Sequence, residues 1–550
     1  MNKLNKILEE ENSQMTKIDY VIIGSIIIIY AILSFINLGV INSPQTFYNS
    51  KQNTDLIFEL KEDTLIDNIM IYSGEELENL KILISKDNNS YHEIFSNNSV
   101  STFEWNKIDI KKEIKYIKLN FEKNSQIGEI GIFNSKNNKV SFNILANNKD
   151  VAYLIDEYKS IPETPSYLNS TYFDEIYFAR TTYDYKNNLN TYEWTHPPLG
   201  KMIQALPVML FNNFSPFYYR LMGNIAGIIM IYIMYLFGKL LYKKRKWAIF
   251  ASLLLFFETS HFSHTRMGTS DSFLILFIMI SIYYMVKYLK SDSKSMKLLL
   301  LSGLFFGMAV SVKWSAFTGG LVLAIIYFID IFKNHRSFLK SCLKGTLSFI
   351  IIPLILYTSI YFIYPKNRVN YTDTISNIVS QNIEMYDYHH NVNEDHPFSS
   401  KFYTWPISYK PVWYYVNYYE NNKRGTISGV GNIIIWWLSV LIIPYVIYKC
   451  IKKDKIFIFL SITILSLFLP YIVIGRVMFL YHFYPTVPFI ILLVTAFFKS
   501  IEKHKNSKII TNIYMLLVIT FFILYYPVVS GMPTSNNYLD NLKILKTWIF

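Results

Sequence analysis

LMGNIAGIIMIYIMYLFGKLLY, residues 221–242, decides what kind of solvent this chain folds in. One charge, Lys239, interrupts an otherwise uncharged run. At about 1.5 Å rise per residue, such a helix crosses the roughly 30 Å hydrocarbon layer of a bilayer. Similar runs stand at 20–40 (YVIIGSIIIIYAILSFINLGV) and 509–529 (IITNIYMLLVITFFILYYPVV). With 51% hydrophobic and only 17% charged residues in 550, the chain reads as a polytopic membrane protein. The first run is longer than a signal-peptide core and has no small-x-small cleavage site after it, so it reads as a retained helix.

Working outward, the apolar pattern predicts eleven helices, near 18–38, 220–241, 247–262, 272–290, 297–312, 315–332, 345–364, 430–448, 456–474, 483–498 and 509–527. The run 298–329 is too long for one span and is divided at Lys313-Trp314, where a charge would otherwise sit in lipid. The net charge of +13 is organised by this topology. Basic groups at 243–246, 287–297, 333–344, 449–455 and 499–508 fall on every second connection, which is the positive-inside pattern. The N-terminus is then cytoplasmic and the C-terminus external, and the basicity calls for no nucleic-acid partner. The two cysteines, Cys342 and Cys450, exclude a disulfide framework and a cysteine metal site.

The domain reading follows. Residues 1–44 hold the cytoplasmic N-terminus and first helix, 45–148 an external insert, and 149–550 the membrane domain, with external loops at about 149–219 and 365–429. In the insert the period changes to two: DLIFEL, IDNIMIYS, NLKILIS, YHEIFS, TFEWNKI, IKYIKLNF, IGEIGIF and KVSFNIL. Eight short strands with Asn/Asp/Gly/Ser punctuation predict a β-sandwich. IKYIKLNFEKNSQIGEIGIFN resembles the closing strands of galactose-binding, discoidin-like sandwiches. That resemblance leaves two roles open, a glycan-binding module or a spacer.

The polar residues worth chemistry cluster on the outer segments. YFDEIYFAR (172–180) places Asp174 beside Glu175. Thr171-x-x-Asp174 has the form of a capping box, and Glu175 suits a first helical turn. THPPLGK (195–201) puts His196 before two prolines and Lys201 in the first turn of the next helix. A cation there opposes the helix dipole unless an anion binds beside it; the alternative is a lysine snorkelling to headgroups. SHFSHTRMGTSD (260–271) adds His261, His264, Arg266 and Asp271, and Asp271 could serve as Arg266's internal partner. Lys313, Trp314, His389, His390, His396, Trp405 and His482 complete the set. Its histidines read as metal ligands or hydrogen-bonding groups, and its aromatics as sugar-stacking or interfacial residues.

YFDEIYFAR, YEWTHPPLGK, RLMG, SHTRMGTSDSFLILF, SVKWSA, HPFSSKFYTWP and FLYHFYP, in this order, resemble the bacterial protein O-mannosyltransferases, multi-spanning glycosyltransferases of the GT-C type. The resemblance implies transfer of a sugar, usually mannose, from a polyprenyl-phosphate carrier to Ser or Thr hydroxyls of exported proteins, with inversion and no divalent metal. It implies Asp174 as general base with Glu175 holding or orienting the acceptor, and Arg266 with Lys201 as cations on the donor phosphate. His196, Asp271, Lys313, Trp314, His396, Trp405 and His482 are further candidates for contact with substrate. The alternatives are transfer to a cell-wall polymer or lipid glycan, and a lipid-linked-sugar transporter. Charges at the outer mouths rather than at mid-membrane favour an enzyme.

Overall fold

The computed structural model describes residues 8, 14–97, 100–146, 148–363, 374–392 and 396–550. Most of the N-terminal tail, the last residue of the expected helix 345–364, and residues 365–373 and 393–395 of the second expected external loop lie outside the described residues. The chain forms two compact units. One comprises Met1–Ile36, Asn188–Gln204 and Leu221–Phe550, and the other Asn37–Asn187 and Ala205–Arg220.

The first unit is helical. Among the described residues, eight helices are long and apolar enough to cross a membrane, and the pair Ile433–Leu441 and Ile443–Ile451, bent by 47°, makes a ninth if taken as one span. The chain is thus a multi-pass membrane protein. Helices also form at the other two expected places, of 12 and 17 residues. Arg245–Phe256 stops because the Glu258 carboxylate accepts from Ser260 Oγ and His261 N and starts a new helix, Thr259–Thr265. Met296–Val312 stops where expected, at Lys313, whose backbone turns extended. The first helix, Lys17–Phe35, opens with a capping box between Thr16 and Asp19. Asp19 then accounts for the lone charge of 221–242: its carboxylate meets Lys239 at 3.3 Å and Arg245 at 2.9 Å. A charge within an apolar span is tolerable when it is paired this way. Gly303 and Gly307, spaced as G-x-x-x-G, let a neighbouring helix approach closely; a Cβ at Gly303 would lie 1.8 Å from the Ser348 carbonyl oxygen.

The second unit is built on a seven-stranded antiparallel sheet. Its strands are β1 (Tyr48–Ser50), β2 (Thr54–Ser73), β3 (Leu80–Ser85), β4 (His92–Asn97), β5 (Trp105–Phe121), β6 (Ser125–Asn134) and β7 (Phe142–Ile144), in the order β1-β6-β2-β5-β3-β4, with β7 beside β2. Eight short strands were expected. Two pairs of them run together, because β2 and β5 pass one another through register shifts between Glu59/Thr64 and Ile66/Asn68 instead of breaking into turns. The apolar alternation is buried in a core that includes Phe58, Ile69, Ile82, Ile117 and Ile130. A second, aromatic cluster (Phe47, Tyr72, Phe103, Trp105, Tyr183, Phe214) joins the sheet to helix Glu175–Lys186 and to residues 208–219 of the same unit.

Candidate active site

In the sheet-bearing unit, Asp174 is the N-cap of helix Glu175–Lys186, yet its side chain makes no capping hydrogen bond. Its carbonyl starts the helix by accepting from Tyr177 N and Phe178 N. Thr171 is not the cap: its hydroxyl donates to the Thr102 carbonyl at 2.7 Å, in the loop before β5. Phe173, immediately before Asp174, has φ of 50°, a left-handed conformation unusual for a bulky residue. Strain of this kind is held only where the surroundings over-determine it. Here the surroundings are an ion pair. Glu175 is fully buried, and its carboxylate takes both Nε (2.7 Å) and Nη2 (2.6 Å) of Arg220 while also accepting from Tyr172 N. The rest of the guanidinium donates to the carbonyls of Leu38, Tyr167 and Ser170 at 2.7–3.0 Å. Every donor of the fork is thus engaged, a geometry only arginine supplies.

In the helical unit, THPPLGK folds back on itself. The helix begins at Leu199, one residue past Pro198. Lys201 is buried, and its Nζ donates to Glu193 Oε2 (2.5 Å) and to the carbonyls of Glu193 (2.6 Å) and His196 (2.8 Å). Three donors serve three acceptors. His196 Nδ1 stands 3.0 Å from Glu193 Oε1. Burial alone would raise the Glu193 carboxyl, but Lys201 and His196 beside it hold it well below the usual carboxylate range. Across from this turn, His389 presents Nε2 to the Thr195 carbonyl (2.7 Å) and Nδ1 to Arg476 Nη1 (2.5 Å), so it is neutral with Nδ1 accepting. Burial, together with His196 and Arg476, pushes its pKa down to about 4. The rings of His196 and His389 meet edge to face with centroids 5.3 Å apart.

Lys313 reaches Asp271 at 2.9 Å, so Asp271's partner is Lys313 and not Arg266. The Lys313 charge also bears on His196 and His389, which places Lys313, Arg476 and both imidazoles in one electrostatic neighbourhood. Trp314 lies at its edge, its ring 6.3 Å from His389 and its Nε1 donating to Tyr357 Oη. Arg266 is held elsewhere in this unit: Nε donates to the Ser34 carbonyl (3.1 Å), Nη2 to that of Ile36 (2.6 Å), and the guanidinium lies over the Phe262 ring.

Trp405 and His482 form a buried stack, 5.9 Å apart at 15°, with Trp405 Nε1 donating to Ser400 Oγ. His396 is exposed and accepts from Phe398 N. His261 Nδ1 meets Tyr484 Oη, and His264 uses Nδ1 on the Ser260 carbonyl and Nε2 on Tyr414 Oη. Among the described residues, no three His, Cys, Asp or Glu come together as a metal-holding group. Sequence reasoning missed two residues. Arg220 opens the RLMG motif without a role of its own, and Arg476 stands three residues before FLYHFYP. An arginine at the margin of an apolar run was the available signal for both.

A family model described as "Dolichyl-phosphate-mannose-protein mannosyltransferase" matches residues 164–366, and one described as "C-terminal four TMM region of protein-O-mannosyltransferase" matches 374–548. The chain belongs to the protein O-mannosyltransferase family. The two matches take in every candidate site residue named from the sequence. A polyprenol-phosphate-mannose–protein mannosyltransferase of Mycobacterium tuberculosis is 22% identical over 451 residues, 68% of this chain and 86% of the relative. One from Mycolicibacterium smegmatis is 23% identical over 462 residues, 70% and 89% of the two chains. The solved Saccharomyces cerevisiae protein O-mannosyltransferase Pmt1-Pmt2 complex, bound to the sugar donor, superposes with a TM-score of 0.61. It covers 69% of this chain and 89% of that one at 14% identity, a likeness of fold.

Proposed function

We propose that this member of the family transfers mannose from a polyprenyl-phosphate carrier to Ser or Thr hydroxyls of proteins. The observation that carries the reading is the match of both family regions, over 164–366 and 374–548, shared with mannosyltransferases that the chain spans for most of their length. The same relatives disfavour a cell-wall polymer or a glycan as acceptor.

In this reading the Asp174 carboxylate takes the proton of the acceptor hydroxyl. The freed oxygen attacks C1 of the sugar, and the C1–O bond to phosphate breaks with its electron pair leaving on the lipid phosphate. Attack opposite the leaving group inverts C1. A carboxylate suits this role when it spends nothing on capping its own helix, which is what the Asp174 geometry offers. Glu175, consumed by Arg220, acts as a positioning residue that fixes Phe173 and the helix start. Preorganised positive charge on the leaving phosphate supplies much of the rate. Arg266, Lys313 and Arg476 are the cations for that task. Lys201, its donors filled by Glu193 and His196, shapes the loop. His196, Asp271 and Trp314 orient the donor site, and Trp405 and His482 brace the segment that carries Arg476. His396, exposed, is available to the acceptor.

The eleven-span topology, the cytoplasmic N-terminus, the external C-terminus and the discoidin-like sheet as an accessory module complete the proposal, supported by the basic groups on alternate connections. The test is transfer from polyprenyl-phosphate-mannose to a Ser/Thr peptide by the purified chain in nanodiscs. Asp174→Asn is expected to lower turnover by about 10²–10⁴ with donor binding retained. Wild-type turnover in that variant would remove Asp174 as the base.

A further inference from the structure

We infer that the helical unit binds an anionic diacyl phospholipid of the surrounding bilayer in a groove between its helix ends. The groove is walled by Val286 and Leu289 of helix Asp271–Lys290, Ile326 of helix Phe317–Lys333, and Phe459 and Ile462 of helix Lys455–Phe468. Its rim carries Lys290, Lys294, Lys333, Arg336, Lys453 and Lys455 against two acids, Asp292 and Asp330. Asp330 is occupied twice over, by Arg336 at 2.8 Å and Lys294 at 3.5 Å. The rim therefore keeps a surplus of positive charge above an apolar floor.

Walls and rim together specify the occupant. The walls belong to helices apolar enough to cross a membrane, so they lie at acyl-chain depth, while the lysines cluster where those helices end. A soluble phosphate or nucleotide has no use for the walls, and a neutral lipid has none for the rim. A lipid with an anionic headgroup uses both, and basic pockets between membrane helices are suited to such headgroups. The occupant is not the sugar donor. Lys290 is the last residue and Asp271 the first of one 20-residue helix, so the groove lies about 30 Å along the helix axis from the Asp271–Lys313 pair. A bound headgroup ties together the ends of three spans, next to the point where Lys290 Nζ already donates to the Leu240 carbonyl.

The experiment uses the detergent-purified full chain, with lipid retention read by native mass spectrometry and unfolding temperature read with added lipid. Phosphatidylglycerol is expected to stay bound and to raise the unfolding temperature, while phosphatidylcholine and glycerol phosphate do neither. Lys333→Gln/Lys453→Gln/Lys455→Gln is expected to weaken phosphatidylglycerol binding on the order of 100-fold and to leave transfer in phosphatidylcholine nanodiscs unchanged. Should the triple variant fail to fold, Lys453→Gln and Lys455→Gln singly are each expected to weaken binding about fivefold. Equal stabilisation by phosphatidylcholine or glycerol phosphate overturns the proposal. So does undiminished phosphatidylglycerol binding in these variants, or preferential retention of polyprenyl phosphate that the same substitutions abolish.

Discussion

The Arg220–Glu175 pair of the sheet-bearing unit and the two cations Lys313 and Arg476 of the helical unit are built to opposite plans. In the sheet-bearing unit, Arg220 and Glu175 satisfy one another completely, with backbone carbonyls taking every remaining donor. In the helical unit, Lys313 and Arg476 are only partly covered, and among the described residues each has one side-chain hydrogen-bond partner, Asp271 and His389. A closed pair is a brace whose free energy is realised in the folded state. A half-open cation is positive charge kept near solvent, where a phosphate can still reach it. Lys201 looked from the sequence like the second kind and is structurally the first.

The comparison breaks most visibly at the closed pairs. Arg220→Ala strands a carboxylate in a buried position and is expected to cost about 3–5 kcal/mol, read as loss of folded, monodisperse protein and a lower unfolding temperature. Arg220→Lys is expected to rescue little, because lysine cannot reproduce the fork. Lys201→Met leaves the buried Glu193 carboxylate without its lysine and is expected to cost a similar amount, about 3 kcal/mol. A variant that folds normally but loses donor affinity would return Lys201 to phosphate binding. At the open set the sign reverses. Arg476→Gln is expected to weaken binding of polyprenyl-phosphate-mannose by about 1.5–3 kcal/mol, roughly ten- to a hundredfold, with the unfolding temperature nearly unmoved. Donor titration by tryptophan fluorescence separates these outcomes.

The smallest effect is in pH. The folded pKa of His389 is about 4, below the ordinary 6.5, so the unfolded chain binds the proton more readily. Its contribution is therefore complete above about pH 6.5 and lost as pH falls towards 4. Discounted for partial exposure, the loss is about 1–2 kcal/mol. Unfolding temperature against pH, for wild type and His389→Gln, should diverge across that window; parallel curves would mean His389 does not carry the effect.

Much of this was legible in the sequence, and the reasons differ by element. A helix forms at every place where an apolar run was long, because lipid leaves the backbone no other way to pair its polar groups. The split at Lys313 was legible for the same reason: a charge marks the end of a span. Strand count was less so, since bulges at Glu59–Thr64 look like turns when only composition is read. Helix Thr374–Asn391 was missed because its Asn, Ser and β-branched residues argue weakly for a helix. Within the site, residue types were readable but partnerships were not. Glu175 and Arg220, or His389 and Arg476, stand too far apart in sequence for any local pattern to pair them.

The separation of Glu175 from Arg220 also has a consequence in time. The two are 45 residues apart, with the carboxylate made first. At about 5–20 residues per second of synthesis, the helix beginning at Glu175 exists for several seconds before its counter-charge is made. During that interval the Glu175 carboxylate lacks the guanidinium that takes both its oxygens in the folded chain. The brace of the acidic pair is therefore completed only once Arg220 has been added to the chain.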